Sequence, residues 1–297
     1  MGFDLAHLKI SVQIKTPARL LAWLPTCGKE FSAICKRAVC NSPMECATSC
    51  RTSVTCPWFL LFGQQLSHDP VALKRDQKPP LPFAFSFSAN GPEVVECDLV
   101  TVGNATNHIA LLGNAFAELI LSAHASAQCR LTAVESLDLQ RTSFPLRLDP
   151  AGSSGIENLV VFSSDEIIDT SKYGSSEIGI RLLSPLRLIE EGRQSSRFEF
   201  ARFACSVMRR VSSLAYYYGG HEFDSDFKEL SRQATEAICT DYKFQKGSCG
   251  NSSTAGLCGH GSFIGDFDGL MPYLLLGVFL NTGKGAAYGM GRYEVVV

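Results

Sequence analysis

The order of apolar patterns along this chain predicts an α+β protein of two tandem ferredoxin-like βαββαβ domains. The strand and helix patterns of residues 1–148 follow that order once, and those of residues 177–297 follow it a second time. Residues 149–176, between the two units, are rich in Gly and Ser and carry one apolar burst, Leu159-Val-Val-Phe162. This composition is typical of a connection between domains, here one that also donates a strand.

The first domain is predicted to begin with a strand at residues 5–14, where polar and apolar side chains alternate. A helical run lies between residues 17 and 37, with Thr26 as a candidate cap. A cysteine-rich insertion of about residues 38–80 follows and ends in Lys78-Pro-Pro. The remaining elements are expected in this order: strands at 82–88 and 94–102, a helix at 104–123, and a strand at 129–139.

The second domain repeats the order of the elements but not the sequence of the first. Apolar residues at helical spacing predict its helices, and β-branched and aromatic residues predict its strands. The elements are a strand at 178–189, a helix at 197–217, a short extra helix at 227–238, strands at 242–248 and 263–267, a helix at 270–280 and a strand at 288–296.

Composition and charge restrict the function classes. Hydrophobic residues make up 45% of the chain and charged residues 19%, values that are ordinary for a soluble globular protein. No window of about 18 uninterrupted apolar residues occurs and the first residues lack a signal-peptide pattern, so we expect a cytoplasmic protein without a membrane partner. The formal net charge of −2 argues against a diffuse polyelectrolyte binder. Any nucleic-acid site must therefore be a local basic surface.

Four cysteines of the insertion could form a metal site. Cys40, Cys46, Cys50 and Cys56 fall within one loop-like segment, and four thiolates can complete the tetrahedral coordination of a structural zinc ion. The intervals between them are longer than in paired C-x-x-C motifs. The sequence therefore leaves two readings open, a structural zinc and reduced cysteines that are buried or packed.

The glycine-rich stretch near the C-terminus is the most distinctive feature of the chain. Its glycines follow the pattern G-x-G-x-x-x-G-x-G and are Gly283, Gly285, Gly289 and Gly291. The stretch also carries two basic residues, Lys284 and Arg292. Such a loop can turn several N–H donors toward a phosphate. The loop follows a helix and precedes a strand, so it is neither a Walker A loop nor a dinucleotide fingerprint. The alternative is a tight connection between helix and strand.

Arginines on the predicted helix at 197–217 form a candidate basic stripe. Arg202, Arg209 and Arg210 lie near one another at steps of seven and eight residues. Arginine binds phosphate through a bidentate fork and stacks on bases. The alternative is a solvated helix face that pairs with Glu199 and its neighbours.

Three stretches of the sequence together carry a family resemblance. The first runs from Gly261-Ser-Phe-Ile-Gly265 through Leu270-Met-Pro-Tyr-Leu-Leu-Leu-Gly277 to Thr282-Gly-Lys-Gly-Ala-Ala-Tyr-Gly-Met-Gly-Arg292. The second comprises Leu183-Ser-Pro-Leu-Arg-Leu188, Phe198-Glu-Phe and Met208-Arg-Arg-Val, and the third, looser, comprises Cys56-Pro-Trp-Phe-Leu-Leu-Phe62 and Pro79-Pro-Leu-Pro-Phe83. With these stretches the chain resembles the CRISPR repeat-processing endoribonucleases of the RAMP (repeat-associated mysterious protein) superfamily.

The resemblance implies a fold and a reaction. The fold is two tandem ferredoxin-like, or RRM-like, domains, with the arginine helix on the RNA-facing side of the second. The reaction is metal-independent cleavage of precursor CRISPR RNA within its repeats, in which the 2′-oxygen attacks the neighbouring phosphorus. It leaves a 2′,3′-cyclic phosphate and a 5′-hydroxyl and needs no catalytic cofactor. The implied partners are repeat RNA, as a single strand or a hairpin, and a CRISPR effector complex, and no DNA is expected.

The catalytic residues are where the chain departs from the family. The commonest base in the family is a histidine on the first helix, and no histidine occurs between His7 and His68. Some relatives use lysines instead, so Lys29 and Lys36, which are seven residues apart on one helix face, are the first candidates. His221 is the best histidine, because it lies in a turn after Tyr216-Tyr-Tyr-Gly-Gly220. The alternatives are solvated lysines and a histidine that interacts with a helix C-terminus.

Two other functions stay open at this stage. The chain could be a non-catalytic RAMP-type RNA-binding subunit of a CRISPR effector complex, which the missing histidine favours. The two-domain order with a C-terminal glycine-rich loop favours the enzyme. A metal-dependent redox or zinc protein unrelated to RNA rests on the twelve cysteines alone.

Overall fold

A computed structural model describes residues 2–40, 55–67, 78–123, 129–147, 158–169, 176–190, 192–248 and 254–297. It confirms the α+β fold class, because two antiparallel sheets each pack against helices. Among the described residues, no helix is both long enough and apolar enough to cross a membrane. Most of the predicted cysteine-rich insertion lies outside the described residues.

The first domain has one antiparallel sheet with helices over one face. Its elements are β1 (Asp4–Gln13), α1 (Pro17–Trp23), α2 (Gly28–Val39), α3 (Pro57–Phe62), β2 (Phe83–Ala89), β3 (Val94–Val102), α4 (Ile109–Ala123), β4 (Arg130–Leu137) and β5 (Ser143–Pro145). The strand order is β2-β3-β1-β4-β5. Alternation in β1 explains the layers, because Leu8, Ile10 and Val12 all point into the core under the helices.

The helical run predicted from residue 17 to residue 37 is in fact two helices. A 3-10 turn, Leu24–Thr26, separates α1 from α2, because Pro25 cannot donate the hydrogen bond that a continuous helix needs. The prediction of Thr26 as the cap is wrong. Its hydroxyl donates to the carbonyl of Trp23 at 2.6 Å, and Cys27 precedes α2 without a side-chain cap.

The stretch predicted to connect the domains contributes regular structure to the first sheet. Within it lie β6 (Val161–Ser163) and α5 (Ser164–Asp169). The strand β6 pairs antiparallel with the start of β1, with Leu5 opposite Phe162.

The second domain has the same spatial order of strands as the first. Its elements are β7 (Glu177–Leu186), β8 (Ile189–Glu190), β9 (Arg193–Gln194), α6 (Phe200–Gly219), α7 (Phe227–Glu236), β10 (Ile238–Gly247), β11 (Gly256–Ile264), α8 (Met271–Leu280) and β12 (Tyr293–Val296). The sheet order β10-β11-β7-β12 corresponds to β2-β3-β1-β4 of the first domain, which is the ferredoxin-like order.

All four strands of the second sheet differ from their predicted bounds, and β11 and β12 differ most. The strand predicted at 263–267 begins at Gly256, because the glycines of β11 hide its apolar pattern and Gly259, at φ +118°, lies at a register shift. The strand predicted from residue 288 begins at Tyr293, because the glycine-rich stretch before it forms a loop.

The helix α8 joins the two domains. It is apolar on all sides, which is typical of a helix buried on all sides. It packs on α6 and β12 of its own domain and also contacts β2 and α5. Leu5, Val100 and Val102 of the first domain belong to the same core cluster as Leu274 and Leu276 of α8. The second domain's core therefore extends to the first sheet.

Candidate nucleic-acid interface

A cleft of about 610 Å³ lies beside α6, where the glycine-rich loop approaches the ends of β7 and β8. We call it the basic cleft, because six of the described side chains that line it are basic and one, Glu190, is acidic. The basic residues are Lys78, Arg187, Arg202, Arg209, Arg210 and Lys284. In a chain with a formal net charge of −2, this concentration is the local basic surface that the sequence requires of a nucleic-acid site.

The basic cleft unites two groups of residues that the sequence singled out separately. Arg202, Arg209 and Arg210 come from α6, and Gly283 and Lys284 come from the glycine-rich loop. Sequence reasoning missed Lys78 and Arg187. No local pattern marks these two, but Lys78 stands beside Pro79 and Arg187 lies in the strand stretch of the family resemblance.

The three arginines of α6 have different environments. Arg209 is exposed and makes no hydrogen bond or ion pair within the described chain. Arg202 is half-buried and pairs with Glu190 and Glu199. One donor of its fork is therefore bound to each carboxylate. Arg209 is thus the arginine of this helix that is most available to a phosphate.

The structure places Arg210 at the junction of the domains, which corrects its prediction as an RNA contact. Its Nε donates to the carbonyl of Leu280 at 2.8 Å, and its Nη2 donates to the carbonyl of Phe83 at 3.1 Å. Burial lowers the pKa of Arg210 to about 10, so the side chain is still charged at neutral pH. Together with Tyr218, whose hydroxyl donates to the carbonyl of Pro80, it ties α6 to the first domain.

The glycine-rich loop is hydrogen-bonded to both domains. The N–H of Lys284 donates to the carbonyl of Arg187 at 2.8 Å, and the N–H of Gly291 donates to that of Pro185 at 3.0 Å. On the other side, the N–H of Phe85 in β2 donates to Ala287 at 3.0 Å. Within the loop, the N–H groups of Ala286, Tyr288 and Met290 donate to the carbonyls of Gly283 and Gly285. These N–H groups, like those of Lys284 and Gly291, are therefore already bonded and are not available to a phosphate.

All four loop glycines have φ values between +66° and +86°. The loop nevertheless divides into two halves, which we call the loop tip (residues 283–285) and the loop base (residues 289–291). At the tip, Lys284 and Gly285 are exposed and Gly283 lines the basic cleft. At the base every residue is buried. The structure therefore brings Gly283 and Lys284 to the cleft, with Gly285 exposed next to them, and it leaves Gly289 and Gly291 in the protein interior.

Close packing explains the glycines of the loop base. A Cβ at Gly289 would lie 2.7 Å from the ring of Phe87, and a Cβ at Gly291 would lie 1.9 Å from the carbonyl oxygen of Thr282. Just before the loop, Asn281 is buried at φ +57° and its Nδ2 donates to the carbonyls of Phe85 and Ala286. The loop base is thus a packed joint between the domains.

Arg292, at the end of the loop, is close enough for its charge to act on Asp98 in a largely buried cluster on the first sheet. Its N–H donates to the hydroxyl of Ser184, and it is absent from the lining of the basic cleft. In the cluster, His7 Nε2 lies 2.9 Å from Asp98 Oδ1. Burial alone would raise the pKa of Asp98, but the hydrogen bond from His7 and the charges of His7, Arg141 and Arg292 lower it below its usual value. Sequence reasoning did not assign this cluster.

The two candidate lysines lie on α2 in different settings. Lys29 is exposed in the first turn of α2. The ring of Tyr288 packs on the preceding Gly28, and its hydroxyl lies 3.4 Å from the carbonyl of Gly28, so Lys29 is next to the glycine-rich loop. Lys36 lies farther along the helix, with its ammonium 5.3 Å from the ring centre of Trp58. Lys29 is therefore the candidate that the fold brings to the loop.

His221 lies at the other end of α6 from Arg202. Gly220 ends the helix at φ +61°, and the N–H of His221 donates to the carbonyl of Ala215. At about 1.5 Å per residue, the helix separates positions 202 and 221 by about 28 Å. The structure therefore does not bring His221 together with the loop tip and Arg202.

The cysteine site can be located only in part. Cys40 follows α2 and Cys56 precedes α3, and both are half-buried free thiols. Cys46 and Cys50 lie outside the described residues. In the part of the chain that is described, no group of three or more metal-binding side chains comes together.

Comparison with known proteins connects this geometry to one family. Residues 180–293 match the family model described as CRISPR-associated endoribonuclease Cas6. The matched range contains α6, the glycine-rich loop and all the basic residues of the cleft except Lys78. No curated protein matches the sequence.

Solved structures share the fold over the whole chain. A Cas6 of Thermus thermophilus aligns at a TM-score of 0.55 and 12% identity, covering 100% of both chains. A product complex of a Cas6 aligns at 0.54 and 15% identity, covering 98% of this chain and 100% of the other. A substrate-mimic complex of a Cas6 aligns at 0.51 and 12% identity, covering 99% of each chain. These identities establish a common fold. The family match over residues 180–293 and the shared fold confirm the resemblance found in the sequence, which is to the CRISPR repeat-processing endoribonucleases of the RAMP superfamily.

Proposed function

We propose that this endoribonuclease binds precursor CRISPR RNA in the basic cleft and cuts it within the repeat beside the loop tip. The observation that carries the proposal is the convergence of five basic side chains, besides Arg210, around an exposed loop tip in a chain that is slightly acidic overall. Phosphate contacts supply most of the affinity of such sites. The substrate is repeat RNA, as a single strand or a hairpin.

Three groups of the protein are available to bind phosphates of the RNA backbone. Arg209 is exposed and can form a bidentate pair with one phosphate. Lys284 is exposed at the loop tip and can act as a point charge on another. Next to it, Gly285 offers an N–H that has no partner within the described chain. Arg209 and Lys284 both line the basic cleft, so phosphates of one strand can reach them.

The proposed chemistry is an internal transfer at phosphorus. The 2′-oxygen loses its proton and forms a bond to the adjacent phosphorus, while the bond from phosphorus to the 5′-oxygen breaks and that oxygen gains a proton. The products are a 2′,3′-cyclic phosphate and a 5′-hydroxyl, and the step needs no cofactor. Charge builds up on the phosphorane, so a fixed cation beside it lowers the barrier.

Lys29 is our first choice for that cation, which the contact of its neighbour Gly28 with Tyr288 of the glycine-rich loop supports. Lys36 is a weaker candidate, because its ammonium lies over Trp58. His221 is the weakest of the three as a catalytic group, since α6 holds it far from the loop tip.

Two further features are part of the proposal. A zinc ion bound by Cys40, Cys46, Cys50 and Cys56 would order the insertion between α2 and α3 and would take no part in the RNA chemistry. Metal analysis of the purified protein should then give about one zinc per chain, and a folded, zinc-free protein would exclude it. We also propose that the protein works in the cytoplasm, passes its product to a CRISPR effector complex, and binds neither DNA nor membrane.

The test is cleavage of a cognate repeat RNA in EDTA, with analysis of both new ends. We expect a 2′,3′-cyclic phosphate and a 5′-hydroxyl, and no cleavage when the nucleotide 5′ of the cut carries a 2′-deoxyribose. Lys29→Ala should lower the cleavage rate by at least about tenfold at saturating RNA. Strict dependence on Mg²⁺, or a 3′-hydroxyl product, would exclude the mechanism. Tight binding without any cleavage would favour the non-catalytic RNA-binding subunit.

A further inference from the structure

The basic cleft continues into a groove along α6 toward the C-terminal end of the helix. Gln64 and Pro79 line both the basic cleft and the next depression, and Gln65 and Tyr217 line both that depression and the last one. The three depressions therefore form one trough beside α6. Its length, from Arg202 to His221, is about 28 Å. At about 3.4 Å per stacked nucleotide, this corresponds to roughly eight nucleotides.

The chemistry of this trough changes along its length. The end at Arg202 is cationic, whereas the far end is lined by Tyr216, Tyr217 and His221 and, among the described residues, by one charged side chain, Glu222. We call this far end the tyrosine groove. It has a volume of about 490 Å³. Side chains of this kind bind bases by stacking and bind phosphates weakly.

The tyrosine groove is held in shape by contacts that leave its rings partly exposed. Tyr216 and Ser67 share a hydrogen bond of 2.9 Å between their hydroxyls, and the N–H of Ser67 donates to the hydroxyl of Tyr217 at 3.2 Å. The two tyrosine rings meet edge to face at 5.1 Å. His221 is fixed against Phe223 in the same way, also at 5.1 Å. A platform whose rings are already fixed loses little entropy when a base stacks on it.

We infer that the tyrosine groove holds unpaired nucleotides of the RNA whose phosphates occupy the basic cleft, with bases stacked on Tyr216 and His221. The inference rests on the proposed function, because it takes the same strand as the ligand of both ends of the trough. It also gives His221 a role that fits its distance from the loop tip. Stacking is tolerant of sequence, so this end adds affinity for single-stranded RNA rather than recognition of one base.

The test measures the affinity of the full-length protein for single-stranded repeat RNA in a series of salt concentrations. Tyr216 is the best position to change, because it is not among the side chains packed on the core of the second domain, whereas Tyr217 is. Tyr216→Ala should weaken binding by about 5- to 30-fold, and His221→Ala by about 5-fold, with an unchanged salt slope. Tyr216→Phe keeps the ring and loses only the hydroxyl contact with Ser67, so it should bind within about twofold of the wild type.

Phe227→Ala is the matched control, since Phe227 is an aromatic residue that is exposed on α7 and does not line the trough. It should bind RNA as the wild type does. Arg209→Ala separates the inference from the proposed function. If Arg209→Ala weakens binding while Tyr216→Ala and His221→Ala do not, the tyrosine groove is excluded and the basic cleft stands. If neither arginine nor tyrosine changes affect affinity, both are excluded.

A second measurement protects the test against a variant that folds poorly. Repeat RNA carrying 2-aminopurine at successive unpaired positions should show quenching on the wild-type protein at one or two adjacent positions. The quenching should persist with Tyr216→Phe and disappear with Tyr216→Ala. Uniform fluorescence at every position on the wild-type protein would overturn the inference.

Discussion

The two halves of the glycine-rich loop share one sequence pattern and differ in what their glycines do. At the loop base, Gly289 and Gly291 are buried, and a side chain there would collide with Phe87 or with the backbone of Thr282. At the loop tip, Lys284 and Gly285 are exposed beside a cleft lined by basic residues. The glycines of one motif can therefore have two causes: close packing at the loop base and exposure beside the basic cleft at the loop tip.

The same contrast occurs within one turn of α6. Arg209 and Arg210 are neighbours in sequence, yet Arg209 is exposed to the basic cleft and Arg210 donates to two carbonyls at the domain junction. Successive residues of a helix point about 100° apart, so the two side chains have different surroundings although both line the basic cleft. We therefore expect RNA binding to depend on Arg209 and stability to depend on Arg210.

The largest expected effect is on the loop base. Gly291→Ala places a Cβ 1.9 Å from the carbonyl oxygen of Thr282 at a φ of +66°. We expect it to lower the free energy of unfolding by more than about 3 kcal/mol, measured by urea denaturation. Gly285→Ala at the loop tip meets only the side chain of Met290, so it should cost about 1–2 kcal/mol from its positive φ. Equal losses for the two variants would contradict the division of the loop.

The next effect separates the two arginines. Arg210→Ala leaves the carbonyls of Leu280 and Phe83 without their donors, so it should destabilise the protein by about 2–4 kcal/mol. Arg209→Ala should leave the unfolding transition within about 0.5 kcal/mol of the wild type. It should weaken RNA binding by about tenfold, because a charge-assisted hydrogen bond is lost. Urea denaturation and RNA titration of both variants measure the two effects. A loss of stability in Arg209→Ala, with a loss of RNA affinity alone in Arg210→Ala, would contradict the assignment.

A smaller effect tests the charge cluster near the end of the loop. The pKa of Asp98 is lower in the folded chain than in the unfolded one, so its stabilising contribution is present above the unfolded pKa of about 3.9. That contribution is lost as the pH falls through the lower, folded pKa. The wild type should therefore lose stability below about pH 4 more steeply than Asp98→Asn. Parallel curves of stability against pH for the wild type and Asp98→Asn would show that the charge cluster does not stabilise the folded protein.

The smallest expected effect is at the loop tip. Lys284→Ala removes one exposed charge beside the basic cleft and should leave stability unchanged. The slope of log affinity against log salt should fall by about 0.7, the value for one phosphate contact of a single strand. Lys228→Ala, which removes an exposed lysine outside the basic cleft, is the control and should keep the wild-type slope. Identical slopes for Lys284→Ala and the control would remove the loop tip from the RNA site.

The sequence predicted the elements whose patterns are local. The alternation of β1 and the apolar run of α8 both lie where they were expected, because these patterns reflect burial. Pro25 and the glycines of β11 disturbed the local pattern, so the break between α1 and α2 and the start of β11 were missed.

The site was predictable only in part, for a physical reason. The arginine helix and the glycine-rich loop could be identified, since each is continuous in the chain. Their meeting with Lys78 and Arg187 depends on how the domains pack, which no local pattern reveals. The sequence also does not distinguish Arg209 from Arg210, or the loop tip from the loop base. Tertiary contacts alone decide which arginine and which part of the loop are exposed.

The most direct way to test whether RNA binds in the basic cleft beside the loop tip is to map where RNA contacts the protein. Repeat RNA that carries 4-thiouridine can be crosslinked by ultraviolet light, and the attached peptides can be identified by mass spectrometry. If RNA binds in the basic cleft, we expect crosslinks at Arg209 and its neighbours and in the loop tip, and none in the loop base. Crosslinks confined to the outer faces of the two sheets, at residues such as Lys9 and Arg181, would contradict it.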